Sequence, residues 1–329
     1  MKRKIIFRAD AGRNIGYGHF IRSLALASYL KDDFDCIFTT YNPDLNNPSP
    51  YQLREIERIC SYLHIDAQST GEFNDKFISV LKGDEIVVLD NYYFAHDFQR
   101  QVKHVGSRLV CVDDLGDRSM ACDLLLTGMP LEREFFHIGA DTKFLGGLKH
   151  SFLREPFLNA SPKHRQGEIR WVVIAIGGAD PLDLTNKLIR ILNKVDASLR
   201  TDVIAGDTVK IDPQIVEKIN LHKNLSAKEI VELFMNADMG IFPASTVCIE
   251  ALACGLPLAV GWYVDNQKCL YEYGVKTNLF YPLGDLRDPD EDIENRIKSA
   301  IKSLKADHKA VTIDFAQGKQ DIISAFKSL

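Results

Sequence analysis

Short apolar runs recur along the chain, and each is followed by a stretch whose apolar residues return every three or four positions. KIIF precedes FIRSLALASYL, EIVVLD precedes AHDFQRQVKHV, WVVIAI precedes LTNKLIRILNKV, and MGIF precedes VCIEALA. A short unbroken apolar run suits a strand buried on both faces, and the helical period suits a helix packed against it. The alternation predicts an α/β protein whose parallel sheets are covered by helices. The first helix is placed from about Phe20 to Lys31, with Ile21, Leu24, Ala25 and Leu26 on one side and Arg22 pointing elsewhere.

The pattern breaks in SFLREPFLNASPKHRQGE, which carries two prolines, several charges and no sustained period. This predicts a first domain over residues 1–152, a linker over 153–167 and a second domain over 168–329. Further strands of the second domain are expected near Asp202 to Ala205, Met239 to Phe242 and Leu258 to Val260. Two such domains facing each other make a cleft. The final amphipathic stretch, from about Thr312 to Leu329, is counted with the second domain, although its pattern would suit packing on either.

Length and charge narrow the function classes. The 329 residues suffice for two cores at about 150 residues per domain. Forty basic against 45 acidic side chains give a net charge of −5, which offers no electrostatic footprint for nucleic acid or an anionic membrane. The apolar stretch of MKRKIIFRAD ends at Phe7, too early for an export signal, and no run approaches the roughly 18 residues of a membrane span. Seven cysteines, an odd number without a CxxC pair, read as reduced core residues of a cytoplasmic protein. No metal and no cofactor are expected.

Three motifs can carry chemistry. RADAGRNIGYGHFIR runs from a strand end through Gly16 and Gly18 to His19. Glycines at a strand-to-helix turn let the backbone approach a ligand, and the helix dipole disfavours a charged ring at His19, leaving it able to accept a proton. The plainer reading is a histidine that caps the helix or fills a polar gap. IGGADPLDLTN places Gly177 and Gly178 at a strand's carboxyl end, where amides can cradle a diphosphate. A tight connection, with Asp180 capping a helix that begins near Pro181, explains the same residues. PASTVCIEALACGLP offers Ser245 or Thr246 as an N-cap beside an anion site, with Glu250 one turn on and spaced for a ribose diol. A surface glutamate behind an ordinary cap is the alternative. Asn266 and Gln267 follow, as holders of sugar hydroxyls or as caps. Asp90, Asn91 and Tyr92 end one strand and Asp113 and Asp114 another; the adjacent aspartates could bind a cation, though loop capping is the commoner use.

Together these segments resemble the UDP-2,4-diacetamido-2,4,6-trideoxy-β-L-altropyranose hydrolase family, the nucleotide-removing enzymes of pseudaminic acid biosynthesis. The resemblance rests on Arg8-Ala9-Asp10, Ile15-Gly16-x-Gly18-His19 with Arg22, Asp90-Asn91-Tyr92, Val112-Asp113-Asp114, Leu153-Arg154-x-x-Phe157, Ile176-Gly177-Gly178-Ala179-Asp180-Pro181, Ala244-Ser245-Thr246 with Glu250, and Asn266-Gln267. It lapses between Tyr41 and Ser69. It implies a GT-B-like architecture of two Rossmann-like domains, with UDP held mainly by the second. It also implies metal-independent hydrolysis at the anomeric carbon, with His19 as the base. A nucleoside diphosphate leaves as a stabilised anion, so amides, a helix terminus and Arg154 could replace the general acid of ordinary glycoside hydrolysis. Asp10 is expected to orient His19, and Tyr92 or Asn266 to position the sugar. A GT-B UDP-sugar glycosyltransferase and a non-catalytic nucleotide-sugar-binding protein are the competing readings. A monomer is favoured.

Overall fold

The computed structural model describes residues 2–12, 17–42, 48–162, 167–177, 180–206, 209–304 and 313–329. The chain divides into two compact units, one formed by Met1–Glu155 with Asp314–Leu329 and the other by Pro156–Ile313.

The first unit runs β1 (Lys4–Arg8), α1 (Gly18–Leu30), β2 (Asp35–Thr39), α2 (Pro50–Glu57), β3 (Ser61–Tyr62), α3 (Thr70–Val80), β4 (Ile86–Leu89), α4 (His96–His104), β5 (Arg108–Val112), β6 (Ser119–Met120), β7 (Leu124–Leu126), β8 (His137–Ile138) and β9 (Lys143–Leu145). Seven of these strands form one parallel sheet in the order β3-β2-β1-β4-β5-β7-β9, and β6 pairs with β8 apart from it. Strands β4 and β7 are buried along their whole length, as unbroken apolar runs require in a sheet covered on both faces. The order steps outward from β1 in both directions. Connections therefore leave β1 and β4 on opposite sides, and a crevice opens at their carboxyl ends.

The second unit repeats this plan. After the short α5 (Glu155–Leu158) at the junction come β10 (Trp171–Gly177), α6 (Leu184–Val195), β11 (Arg200–Ala205), β12 (Asn220–His222), α7 (Ala227–Asn236), β13 (Met239–Pro243), α8 (Thr246–Ala253), β14 (Leu258–Trp262), α9 (Lys268–Lys276), β15 (Tyr281–Asp285) and α10 (Asp290–Leu304). The six strands are parallel in the order β12-β11-β10-β13-β14-β15, with its reversal between β10 and β13. Leu184, Leu188 and Ile191 of α6 join Val172 and Ile174 of β10 and Ile293 and Ile297 of α10 in one core.

The division between the units, after Glu155, falls inside the expected 153–167 linker, two of whose residues are nonetheless packed: Leu153 is buried, with its amide donating to the Tyr29 hydroxyl at 2.7 Å, and the buried Phe157 lies 6.4 Å from the Phe234 ring. One boundary differs from expectation. The final helix, α11 (Phe315–Lys327), belongs to the first unit rather than the second. Its buried Ile322 and Phe326 supply the reason, with Phe326 set edge-on to Phe34 at 6.4 Å. Lys149 and Lys327 add ion pairs to Asp321 at 2.8 Å and Asp33 at 2.7 Å. At Gly318 the helix backbone passes so close to the Lys149 carbonyl that a Cβ would overlap its oxygen. Gly318→Ala is therefore expected to lower stability by about 1–3 kcal/mol through displacement of α11, read as a lower urea midpoint at unchanged slope.

Candidate functional site

The first unit gathers a charged cluster at the carboxyl ends of β1, β4 and β5. Helix α1 begins at Gly18 with no side-chain cap and no acidic residue in its first turn. Among the described residues the amides of Gly18, His19 and Phe20 carry no hydrogen bond, and a helix N-terminus carries partial positive charge. His19, Arg22 and Ser23 fall three and four positions apart and share one helix face. That face meets Asp90, the residue just past β4, which is fully buried.

All three side chains converge on the Asp90 carboxylate. His19 Nδ1 lies 2.7 Å from Oδ1, Arg22 Nη2 donates to Oδ1 at 2.6 Å and Nε to Oδ2 at 2.8 Å, and the Ser23 hydroxyl donates to Oδ2 at 2.8 Å. Burial alone would push the Asp90 carboxyl up, but Arg22 and His19 outweigh it and hold the group well below the usual carboxylate range. An ionised Asp90 accepts only, so Nδ1 carries a hydrogen, and in the neutral form of the ring the lone pair lies on Nε2. Arg22 Nη1 also pairs with Asp114, whose other oxygen accepts the Thr127 hydroxyl at 3.0 Å. Burial opposes the Arg22 charge, and Asp114 and Asp90 on either side of it hold the guanidinium protonated. The Tyr92 ring stands perpendicular to the imidazole with centroids 4.5 Å apart.

Asp10 does not orient His19. Its carboxylate is buried against Arg8, which donates at 2.8 and 2.7 Å, and it also accepts the Tyr41 amide at 2.8 Å and the Tyr93 hydroxyl. The Arg8 guanidinium in turn lies 3.9 Å from the Phe73 ring centroid. This carboxylate braces the end of β1, and Asp90 takes the place expected of it. The helix spacing of His19, Arg22 and Ser23 is the signal that points to an acidic partner on the neighbouring strand. Asp113 serves its own loop, accepting the Gly116 amide and an Arg118 donor at 2.8 Å each. Arg154 is half-buried near the Tyr51 hydroxyl. Gly16 lies outside the described residues.

In the second unit the motifs fall at the carboxyl ends of β10, β13 and β14, three neighbouring strands. Gly177 ends β10 with a φ of 131°, a left-handed value that glycine adopts without strain. Gly178 lies outside the described residues. Asp180 accepts the Leu184 and Thr185 amides at 2.9 and 2.6 Å, so it caps a helix that begins three residues later than expected, and the amides at the start of α6 are already taken. Helix α8 begins at Thr246, but the Ser245 hydroxyl makes no cap bond, and among the described residues the Thr246 and Val247 amides carry none. Glu250 is buried one turn behind, which overturns the reading of it as a surface glutamate. Gln267 is buried and accepts the Tyr263 amide at 2.9 Å, a structural bond, whereas Asn266 is exposed.

A helix tip at the strand-order reversal of a parallel sheet is where an open α/β fold binds phosphate. Comparison with known proteins agrees with this architecture. No protein-family model matches the chain. The UDP-2,4-diacetamido-2,4,6-trideoxy-beta-L-altropyranose hydrolase of Campylobacter jejuni is 24% identical over 277 residues, covering 80% of this chain and 93% of that one. An uncharacterized protein of Methanocaldococcus jannaschii is 24% identical over 290 residues, 82% of this chain but only 57% of its own length, so the chain spans little more than half of that relative. Among solved structures, Phytolacca americana UGT2 complexed with UDP-2-fluoro-glucose and pterostilbene matches at a TM-score of 0.67 and 9% identity over 99% of both chains. The fold is GT-B-like.

Within this GT-B-like chain the two units carry different groups: a histidine on a buried carboxylate in one, and a helix tip with a buried glutamate in the other. Among the described residues no group of three or more His, Cys, Asp and Glu side chains is arranged to hold a metal ion, and no helix is long and apolar enough to cross a membrane.

Proposed function

We propose that the protein hydrolyses a UDP-linked diacetamido-trideoxy hexose at the anomeric carbon with inversion, releasing UDP and the free sugar. The observation that carries this reading is the 2.7 Å contact of His19 Nδ1 with Asp90. It fixes the tautomer in which Nε2 can take a proton, and the buried carboxylate stabilises the imidazolium that results. Water attacks the anomeric carbon from the face opposite UDP, its proton passes to Nε2, and the bond to the diphosphate oxygen breaks with its electron pair leaving on UDP. The departing group is a stabilised anion, so helix-terminal amides can serve where a poor leaving group needs a general acid. The α8 tip at Ser245 and Thr246, with the Gly177 turn and Arg154, is assigned to the diphosphate, Glu250 to the ribose hydroxyls, and Tyr92 and Asn266 to the sugar.

The similarity to the Campylobacter jejuni hydrolase supports both the substrate class and the use of water. The test is an anomer-resolved NMR time course on a small panel of UDP-sugars without any acceptor, in plain buffer and in chelator. The expected product is free sugar of inverted configuration at the same rate in both. Release only when an acceptor hydroxyl is added would make the chain a glycosyltransferase using the same base. Glu250→Ala is expected to weaken UDP binding roughly tenfold or more, the effect of losing a charged hydrogen-bond acceptor. Unchanged affinity by calorimetry would remove the ribose assignment.

A further inference from the structure

His19 and Asp90 do not stand alone. Arg22 grips both oxygens of Asp90, and its Nη2 lies 3.1 Å from His19 Nδ1, because both nitrogens point at the same carboxylate oxygen. Its remaining nitrogen, Nη1, pairs with Asp114, which is anchored from β7's end by the Thr127 hydroxyl at 3.0 Å. A guanidinium beside an imidazole would ordinarily oppose proton uptake by the ring. Here one cation is set against two carboxylates, so the cluster carries a net charge of −1 while His19 is neutral and becomes neutral when His19 takes a proton. The groups turned toward the ring are Arg22 from its own helix, Asp90 and the Tyr92 ring after β4, and Asp114 after β5, which reaches it through Arg22.

We propose that Arg22 and Asp114 are positioning residues for His19, with the Arg22 fork fixing Asp90 on Nδ1 and Asp114 supplying the second negative charge that lets the ring gain a proton without a net cation. This rests on the reading of His19 as the base. Orientation belongs to the fork and proton affinity to the charge count, so the two functions separate by substitution.

The experiment follows the His19 side chain by nitrogen-15 NMR in the full-length protein without substrate, assigned by loss of its signals in His19→Gln, alongside the kinetics of UDP-sugar hydrolysis. In Asp114→Asn the titration midpoint of the ring is expected to fall by roughly half to one pH unit with the Nδ1–H tautomer kept, and Asp114→Glu is expected to restore it. In Arg22→Lys the charge count is unchanged, so the midpoint should stay near that of the unaltered protein while kcat drops roughly tenfold or more at similar KM, because a lysine cannot hold both carboxylate oxygens. A midpoint that does not move in Asp114→Asn, or full kcat in Arg22→Lys, overturns the proposal. Should Asp114→Asn not fold, the Arg22→Lys arm decides alone. The NMR arm needs no turnover, so a protein that hydrolyses no UDP-sugar yet shows the expected midpoints would sink the hydrolase reading and leave the role of Asp114 standing.

Discussion

His19→Gln should lower kcat by roughly two to four orders of magnitude, the usual worth of a general base, while UDP affinity stays nearly constant. Glutamine approximates the reach of the ring and can still hydrogen-bond Asp90, but it has no nitrogen that takes up a proton near neutrality. The nucleotide contacts are assigned to Arg154 and to residues of the second unit, none of them His19, so calorimetric titration with UDP should barely register the change. His19→Ala should match it in rate. A variant retaining full turnover would show that water needs no base here, and the mechanism would have to be rebuilt on the leaving group alone.

The second large effect is expected at Asp90→Asn. An amide that still accepts from Arg22 and Ser23 presents its NH₂ to His19, which turns Nδ1 into the acceptor and moves the ring hydrogen to Nε2. The base then faces substrate with a donor, and kcat should fall by roughly three to four orders of magnitude with the fold intact. Stability should fall as well, toward the lower end of the about 3–5 kcal/mol typical of breaking a buried ion pair, because Asp114 still compensates Arg22. The pH dependence has a definite sign. The native Asp90 carboxyl titrates below its unfolded value, so its contribution is complete above about pH 4 and drains away as pH falls from there toward the depressed native value. Acid titrations of the two proteins should therefore converge at low pH. Curves that stay parallel would mean that Asp90 is not held ionised by its neighbours.

Both sheets were legible in the chain because strands buried on two faces leave unbroken apolar runs, and LTNKLIRILNKV corresponds residue for residue to α6. Strand order was not, since it is fixed by pairing between distant segments rather than by local period. The partner of His19 is therefore not readable from local sequence. Asp10 and Asp90 both end strands, and only the adjacency of β1 and β4, combined with the phase of α1, brings one of them under the imidazole and leaves the other to Arg8. The α2 segment is hard to read for a different reason. Eight residues with only Gln52 and Ile56 buried give too little periodicity to read, although the Ser49 capping box with Gln52 marks its start. The sequence leaves Glu250 open between a ribose-binding and a surface position, because a charged residue is rarely buried, and its burial behind the α8 tip removes the surface alternative.

The last helix closes onto the unit that the chain began with, so residues 156–313 form an insert within a single discontinuous module. Cutting at the two junctions would release residues 156–313 as one continuous polypeptide, whereas the histidine-bearing unit would survive only as a non-covalent reunion of a long piece and a short one. A gene fragment stopping at residue 313 would strip the cover from Phe34 and the Lys149 turn, and the damage would fall on the lobe farther away in sequence from the deletion.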